Sequence, residues 1–205
     1  MAEEKNKSKG KYDKRNKLNE LTGKEWLKLT KSFWTSEKCN DDKDAFKHPA
    51  PFLIPDTQKL VSMFTKSKMK VLDPFCGSGT TLIAAANINR FGIGIDLSLE
   101  YRNLALDRLA KKKFEEETDF QYFLGDSENI LNEIDDVDYI VTSPPYHNIL
   151  QNKGAGIRNE SKKGYRTGSR TGVDYYSDSS NDLGNKENYK DFLNSFKSIM
   201  LKSFD

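Results

Sequence analysis

Two short stretches of the chain carry residue types at spacings that could do chemistry. In the first, an apolar run (Met69, Val71, Leu72) ends in Asp73 and is followed by Pro74-Phe75-Cys76-Gly77-Ser78-Gly79-Thr80-Thr81. Glycines there let the backbone turn sharply and approach a ligand where a Cβ would obstruct it. This is the strand–turn–helix opening of a nucleotide-type site. No lysine follows the turn, as a loop binding several phosphates would require, and Leu82 stands where a dinucleotide fingerprint has its third glycine. The carboxylate beside the turn suits a ligand with positive charge. The second stretch, Thr142-Ser143-Pro144-Pro145-Tyr146, offers a hydroxyl, a carbonyl between stiff prolines that lack N–H donors, and an aromatic ring.

Asp73 to Thr81 resembles the S-adenosylmethionine-binding motif of DNA amino-methyltransferases. Within Thr142 to Tyr146, Ser143-Pro144-Pro145-Tyr146 resembles that family's catalytic tetrapeptide, with Ser in its first place. The resemblance implies S-adenosylmethionine as cofactor, held by Asp73, Phe75, Gly77, Gly79, Asp96 and Asp126. It implies Ser143, Pro144, Pro145 and Tyr146 as the catalytic corner, and double-stranded DNA with a flipped target base as partner. Ser in the first place resembles the cytosine-N4 enzymes of restriction–modification systems, whereas Asp or Asn is more typical of adenine-N6 enzymes. Cytosine N4 is therefore the expected target. Adenine N6, an RNA or protein substrate, and an inactive or split fragment that binds without catalysing are the alternatives.

The chemistry fits those residue types. An exocyclic amino nitrogen is a poor nucleophile because its lone pair is delocalised into the ring. The protein must hold that nitrogen in line with the methyl donor and aim hydrogen-bond acceptors at its N–H groups. The Ser143 hydroxyl and the Pro144 carbonyl are such acceptors, and the Tyr146 ring can stack on a base that has left the duplex. Cys76 is not read as a nucleophile. The nucleophile of the cytosine-C5 enzymes resembles a Pro-Cys pair on another loop, whereas Cys76 lies between Phe75 and Gly77 inside the glycine turn.

These residues meet only if strands deliver them to one rim. The pattern predicts a helix over Thr81–Asn89, a strand over Phe91–Asp96, a helix over Leu99–Phe114, a strand over Phe120–Leu124, and a strand over Asp138–Thr142. The fold class is α/β, a doubly wound, Rossmann-like methyltransferase sheet with its ligands at the carboxyl rim. Asp96 lies where such folds present a carboxylate to ribose hydroxyls, and Asp126 resembles the adenine-binding acid. Helix capping is the competing use for both.

Around that core (18–146), residues 1–17 are Lys-, Asn- and Glu-rich and read as a disordered arm. Leu18 to Phe33 can line one side of short helical turns, with Thr22 and Glu25 forming a capping box. The proline-rich segment His48–Phe52 resembles the family segment beside the methionine end of the cofactor. Residues 147–186 are basic and Gly-rich. Lys153, Arg158, Lys162, Lys163, Arg166 and Arg170 could clamp a phosphate backbone or belong to a disordered insertion. Tyr189–Phe204 reads as an amphipathic helix closing the segment 187–205.

Only four strands are found, whereas the family's sheet resembles a seven-stranded one. The sheet is thus expected to be incomplete at its C-terminal end, with an open edge at its fourth strand and a second polypeptide supplying the rest. Charged residues make up 31% of the chain and the net charge is only +2, so affinity for DNA must come from local clusters of Lys and Arg. Cys39 and Cys76 make no disulfide framework, and neither a signal peptide nor a membrane-length apolar run is present. A soluble, cytoplasmic protein is expected. His48 and His147 lack partners at metal-ligand spacing, so no metal is expected.

Overall fold

The apolar run before the glycine turn forms β1 (Lys70–Asp73), whose last three residues are buried, as in a parallel sheet covered on both faces. In this computed structural model, residues 10–147, 150 and 176–204 are described. β2 (Phe91–Asp96), β3 (Phe120–Leu124) and β4 (Tyr139–Ile140) join β1 in one parallel sheet of order β3-β2-β1-β4. Leu72 pairs with Ile93 on one side and Ile140 on the other. The chain therefore builds outward from β1 through β2 to β3, then crosses back to add β4 on the other side. The strand order reverses between β1 and β4, which makes that crevice the topological switch point where such sheets bind ligands.

Alternation along β2 explains how both faces are covered. Ile93 and Ile95 face a cluster with Leu72, Leu131, Leu183, Phe192 and Ile199, the last two from α6 (Tyr189–Phe204). Gly92 and Gly94 face the opposite way, beneath α3 (Thr80–Ala86). A Cβ on Gly92 would lie 2.9 Å from Leu82, and one on Gly94 would lie 2.5 Å from the Cys76 sulfur. These glycines let α3 and the turn sit directly on the sheet. Leu82 and Ile83 then pack with Ala105 and Leu109 of α4 (Leu99–Lys111) and with Phe120 and Tyr122. A third cluster joins Val61 of α2 (Ile54–Phe64) to Val71, Ala85 and Val141.

Both central helices end earlier than their composition suggests. After α3, Asn89 takes a left-handed conformation (φ 61°), with Asn89 N–H donating to Ala86 O and Arg90 N–H to Ala85 O. After α4, Lys113 does the same (φ 61°), with bonds to Ala110 O and from Phe114 N–H to Leu109 O. Both are Schellman closures made without glycine. β4 is ordered as a strand over two residues only, although Asp138 N–H and Val141 N–H continue the pairing to Lys70 O and Leu72 O.

The capping box forms as expected at α1 (Gly23–Leu29). Thr22 Oγ1 accepts from Glu25 N–H, and Glu25 Oε2 accepts from Thr22 N–H at 2.8 Å. α1 buries no residue, however: Leu27 and Phe33 are 74% and 77% exposed, and of the apolar side read for Leu18–Phe33 only Leu21, Trp26 and Leu29 are half-buried. Residues 1–9 of the N-terminal arm lie outside the described residues. Residues beyond them are tied to the body: Lys66 Nζ donates to Asn16 O, buried Asn19 donates to Met63 O at 2.7 Å, and buried Arg90 pairs with Glu20 at 3.2 Å. Of the 147–186 segment, the six named Lys and Arg residues also lie outside the described residues. No described helix is long and apolar enough to cross a membrane.

Candidate functional site

The carboxyl ends of all four strands bring Asp73, Asp96, Asp126 and Ser143 to one rim, and a cavity of about 650 Å³ (counting its open mouth) lies there. Phe75, Asp96, Asp126, Ser143, Pro144, Pro145 and Tyr146 all line it. A neighbouring cavity of about 300 Å³ is lined by Asp73, Gly77, Ser78 and Thr80, with His48, Phe75 and Ser143 shared between the two. Gly79 lines neither; with φ +75° it lets the turn enter α3 and pack on Ala105.

Each acid has its own environment. Asp96 Oδ2 accepts from Gly77 N–H at 2.8 Å and its Oδ1 from Ser98 N–H at 2.9 Å. Capping does not account for it, because Ser98 caps α4, its Oγ accepting from Tyr101 N–H. Burial pushes the Asp96 carboxyl up to about 6, against the pull of the two N–H donors. Asp126 does cap α5 (Ser127–Ile130), through Oδ1 and Glu128 N–H at 2.9 Å. Its other oxygen has no partner among the described residues. Asp73, 1% exposed, is held up by burial and opposed by hydrogen bonds from the Thr142 and Thr81 hydroxyls and Phe75 N–H.

Tyr146 is 53% exposed and open to a flat partner, whereas Ser143, Pro144 and Pro145 are half-buried. Beyond it, a His147 ring nitrogen lies 2.9 Å from Lys186 O, which draws the returning chain against the corner. Cys76 is buried in the α3–α4 core. Its thiol is pushed well up, first by burial and then by Asp73 and Asp96, so its surroundings are those of an inert packing residue.

Several wall and support residues escape a reading of the sequence. Tyr176, Asp182 and Leu183 return after the long basic segment to line the larger cavity, and nothing local to them announces that. Arg108, 3% exposed, reaches from α4 to Ser78 O, and to Ser78 Oγ and Thr80 Oγ1 at 3.1 Å each, so a buried guanidinium grips the glycine turn. Its place on the apolar stripe of α4 was the available signal. Tyr122 donates to Gly77 O at 2.9 Å from below. His48 Nδ1 accepts from Ala50 N–H, its ring meets Tyr101 edge-on at 4.4 Å, and burial pushes it down to about 4, so it stays neutral near pH 7.

A family model described as DNA methylase (N6_N4_Mtase) matches residues 1–107, over half of the chain. The type II methyltransferase M.HindIII of Haemophilus influenzae is 46% identical over 54 residues, 26% of this chain and 18% of that protein. M2.LlaDCHI of Lactococcus lactis subsp. cremoris is 38% identical over 85 residues, 41% of this chain and 32% of that protein. The chain thus spans under a third of the length of these relatives. Among solved structures, TrmN from Thermus thermophilus matches 54% of this chain and 34% of its own, at 22% identity and a TM-score of 0.45.

Proposed function

The chain belongs to the N6/N4 DNA methylase family, and from that premise we propose that it transfers a methyl group from S-adenosylmethionine to the exocyclic N4 of cytosine in DNA. One observation carries the proposal: Pro74 and Phe75 of the turn stretch, the strand-end acids Asp96 and Asp126, and the Ser143–Tyr146 corner, far apart in sequence, line a single cavity. Ser143 in the first place of the corner favours cytosine.

The lining suits that cofactor. Three carboxylates, Asp96, Asp126 and Asp182, face a cavity walled by Phe75, Leu97, Tyr101 and Leu183, and no described lysine or arginine lines it. That donor set matches a cationic ligand bearing hydroxyls and a flat ring better than a polyphosphate. When bound, the cofactor supplies a methyl group already activated on a sulfonium. Asp96 would hold the ribose hydroxyls, the oxygen of Asp126 that has no partner among the described residues would take the adenine amine, and Phe75 would pack alongside. Ser143 Oγ and the Pro144 carbonyl accept the N–H groups of the target amine. They hold it in line and favour the positive charge that builds on it. Tyr146 stacks on the flipped base. The methylated nitrogen then loses its proton to water, so no strong general base is needed.

The test is incubation of the full chain with duplex DNA and labelled S-adenosylmethionine, followed by nucleoside mass spectrometry. N4-methylcytosine is expected, and Asp96→Ala or Tyr146→Ala should abolish it. N6-methyladenine would move the target to adenine. Tight cofactor binding with no methylated nucleoside, alone or with the C-terminal portion of a longer relative added, would refute the proposed activity.

A further inference from the structure

Asp73 sits behind the larger cavity rather than on its wall, and its hydrogen bonds point elsewhere. One oxygen accepts from Thr81 Oγ1 at 2.5 Å, on the first turn of α3. The other accepts from Thr142 Oγ1 at 2.6 Å, on the residue immediately before Ser143, and from Phe75 N–H at 3.1 Å. A single buried carboxylate therefore holds the end of β1, the start of α3, the glycine turn and the approach to the corner. The last sheet bond before the corner is Val141 N–H to Leu72 O at 3.1 Å, so past Val141 the Asp73–Thr142 contact is what ties the chain back to the sheet. Both hydroxyl contacts are short, and both threonines are stiff at χ1.

We propose that Asp73 is a positioning residue: a strut that fixes the Ser143–Tyr146 corner against the cofactor turn through Thr142. Ordering of the turn by a ligand is thereby passed to the corner. The catalytic consequence rests on the methyltransferase reading, but the mechanical one does not. Thr142 lines neither cavity, so changing it leaves the ligand walls in place. Misplacement of reacting groups by an ångström costs about 100-fold in rate, which sets the scale.

The experiment compares Thr142→Val, isosteric but without the hydroxyl, with Thr142→Ser, which restores it. Thermal unfolding serves as the check that both variants fold. Hydrogen exchange read by mass spectrometry on the peptide spanning Val141–His147 is the first measurement. Exchange should be faster in the Val variant than in wild type and near wild type in the Ser variant. With S-adenosylmethionine added, wild type and Ser should gain protection at both turn and corner, and Val at the turn alone. Turnover is the second measurement: kcat should fall by about 10- to 100-fold in Val with cofactor KM little changed, and recover in Ser. Unchanged corner exchange in Val overturns the strut, as does an equal loss of kcat and cofactor affinity. If wild type neither binds the cofactor nor methylates DNA, the functional reading fails. Ligand-free exchange in Val against Ser still decides the strut.

Discussion

Asp96 is where burial and function pull against each other, and that conflict can be measured. Burial lifts its carboxyl from 3.8 to about 6, a shift of about 2 units and, at about 1.36 kcal/mol each, a cost of about 3 kcal/mol at most. The folded pKa lies above the unfolded one, so between pH 4 and 6 the folded chain binds more protons than the unfolded chain. Stability from this group is fully present below about pH 4 and is lost as pH rises through 6. Asp96→Asn removes that slope. It also leaves either Gly77 or Ser98 N–H without its acceptor, a pH-independent loss of about 1–3 kcal/mol. Urea titrations should therefore find the variant less stable than wild type at pH 4 and equal or more stable at pH 7.5. The gap should move by up to about 3 kcal/mol between the two. If hydroxyls of the bound cofactor recruit the ionised form, binding at pH 6 releases about half a proton and at pH 8 almost none. Calorimetry in buffers of different ionisation enthalpy reads this directly. Parallel stability curves for wild type and variant, or no proton release at pH 6, would refute the reasoning.

Other perturbations follow from the packing around the turn. Gly79→Ala forces a side chain into φ +75° with its Cβ 2.7 Å from Ala105 Cβ. Unfolding should be easier by about 2–5 kcal/mol from the left-handed conformation and the overpacking together; an unchanged urea midpoint would contradict this. Arg108→Met strips donors from Ser78 and Thr80 and should cost about 1–3 kcal/mol by the same titration. A more stable variant would mean that desolvating this guanidinium outweighs its hydrogen bonds. Under a thiol reagent the native protein should be labelled at half-buried Cys39 while buried Cys76 reacts only after unfolding. Fast labelling of native Cys76, read by peptide mass spectrometry, would sink the inert assignment.

What the sequence by itself determined is local. Phe120–Leu124 alternates and was legible as a strand, Thr22 and Glu25 announced their capping box, and the acid-ended β1 and β2 with the glycine turn announced an α/β rim. Each signal is written in neighbours a few residues apart, where backbone conformation and side-chain period set the outcome. Helix ends were less legible, because Asn89 and Lys113 close their helices in a conformation usually left to glycine. Tertiary structure alone decided which partners the buried polar groups would take. It gave Asp73 to Thr81 and Thr142, turned Arg108 inward onto the turn, brought Tyr176 and Asp182 into the cavity wall, and left Leu27 and Phe33 in solvent. A buried carboxylate or guanidinium must find hydrogen-bonding partners wherever the fold places them. Those partners are fixed by how strands and helices pack, so a side chain's spacing along the chain cannot name them.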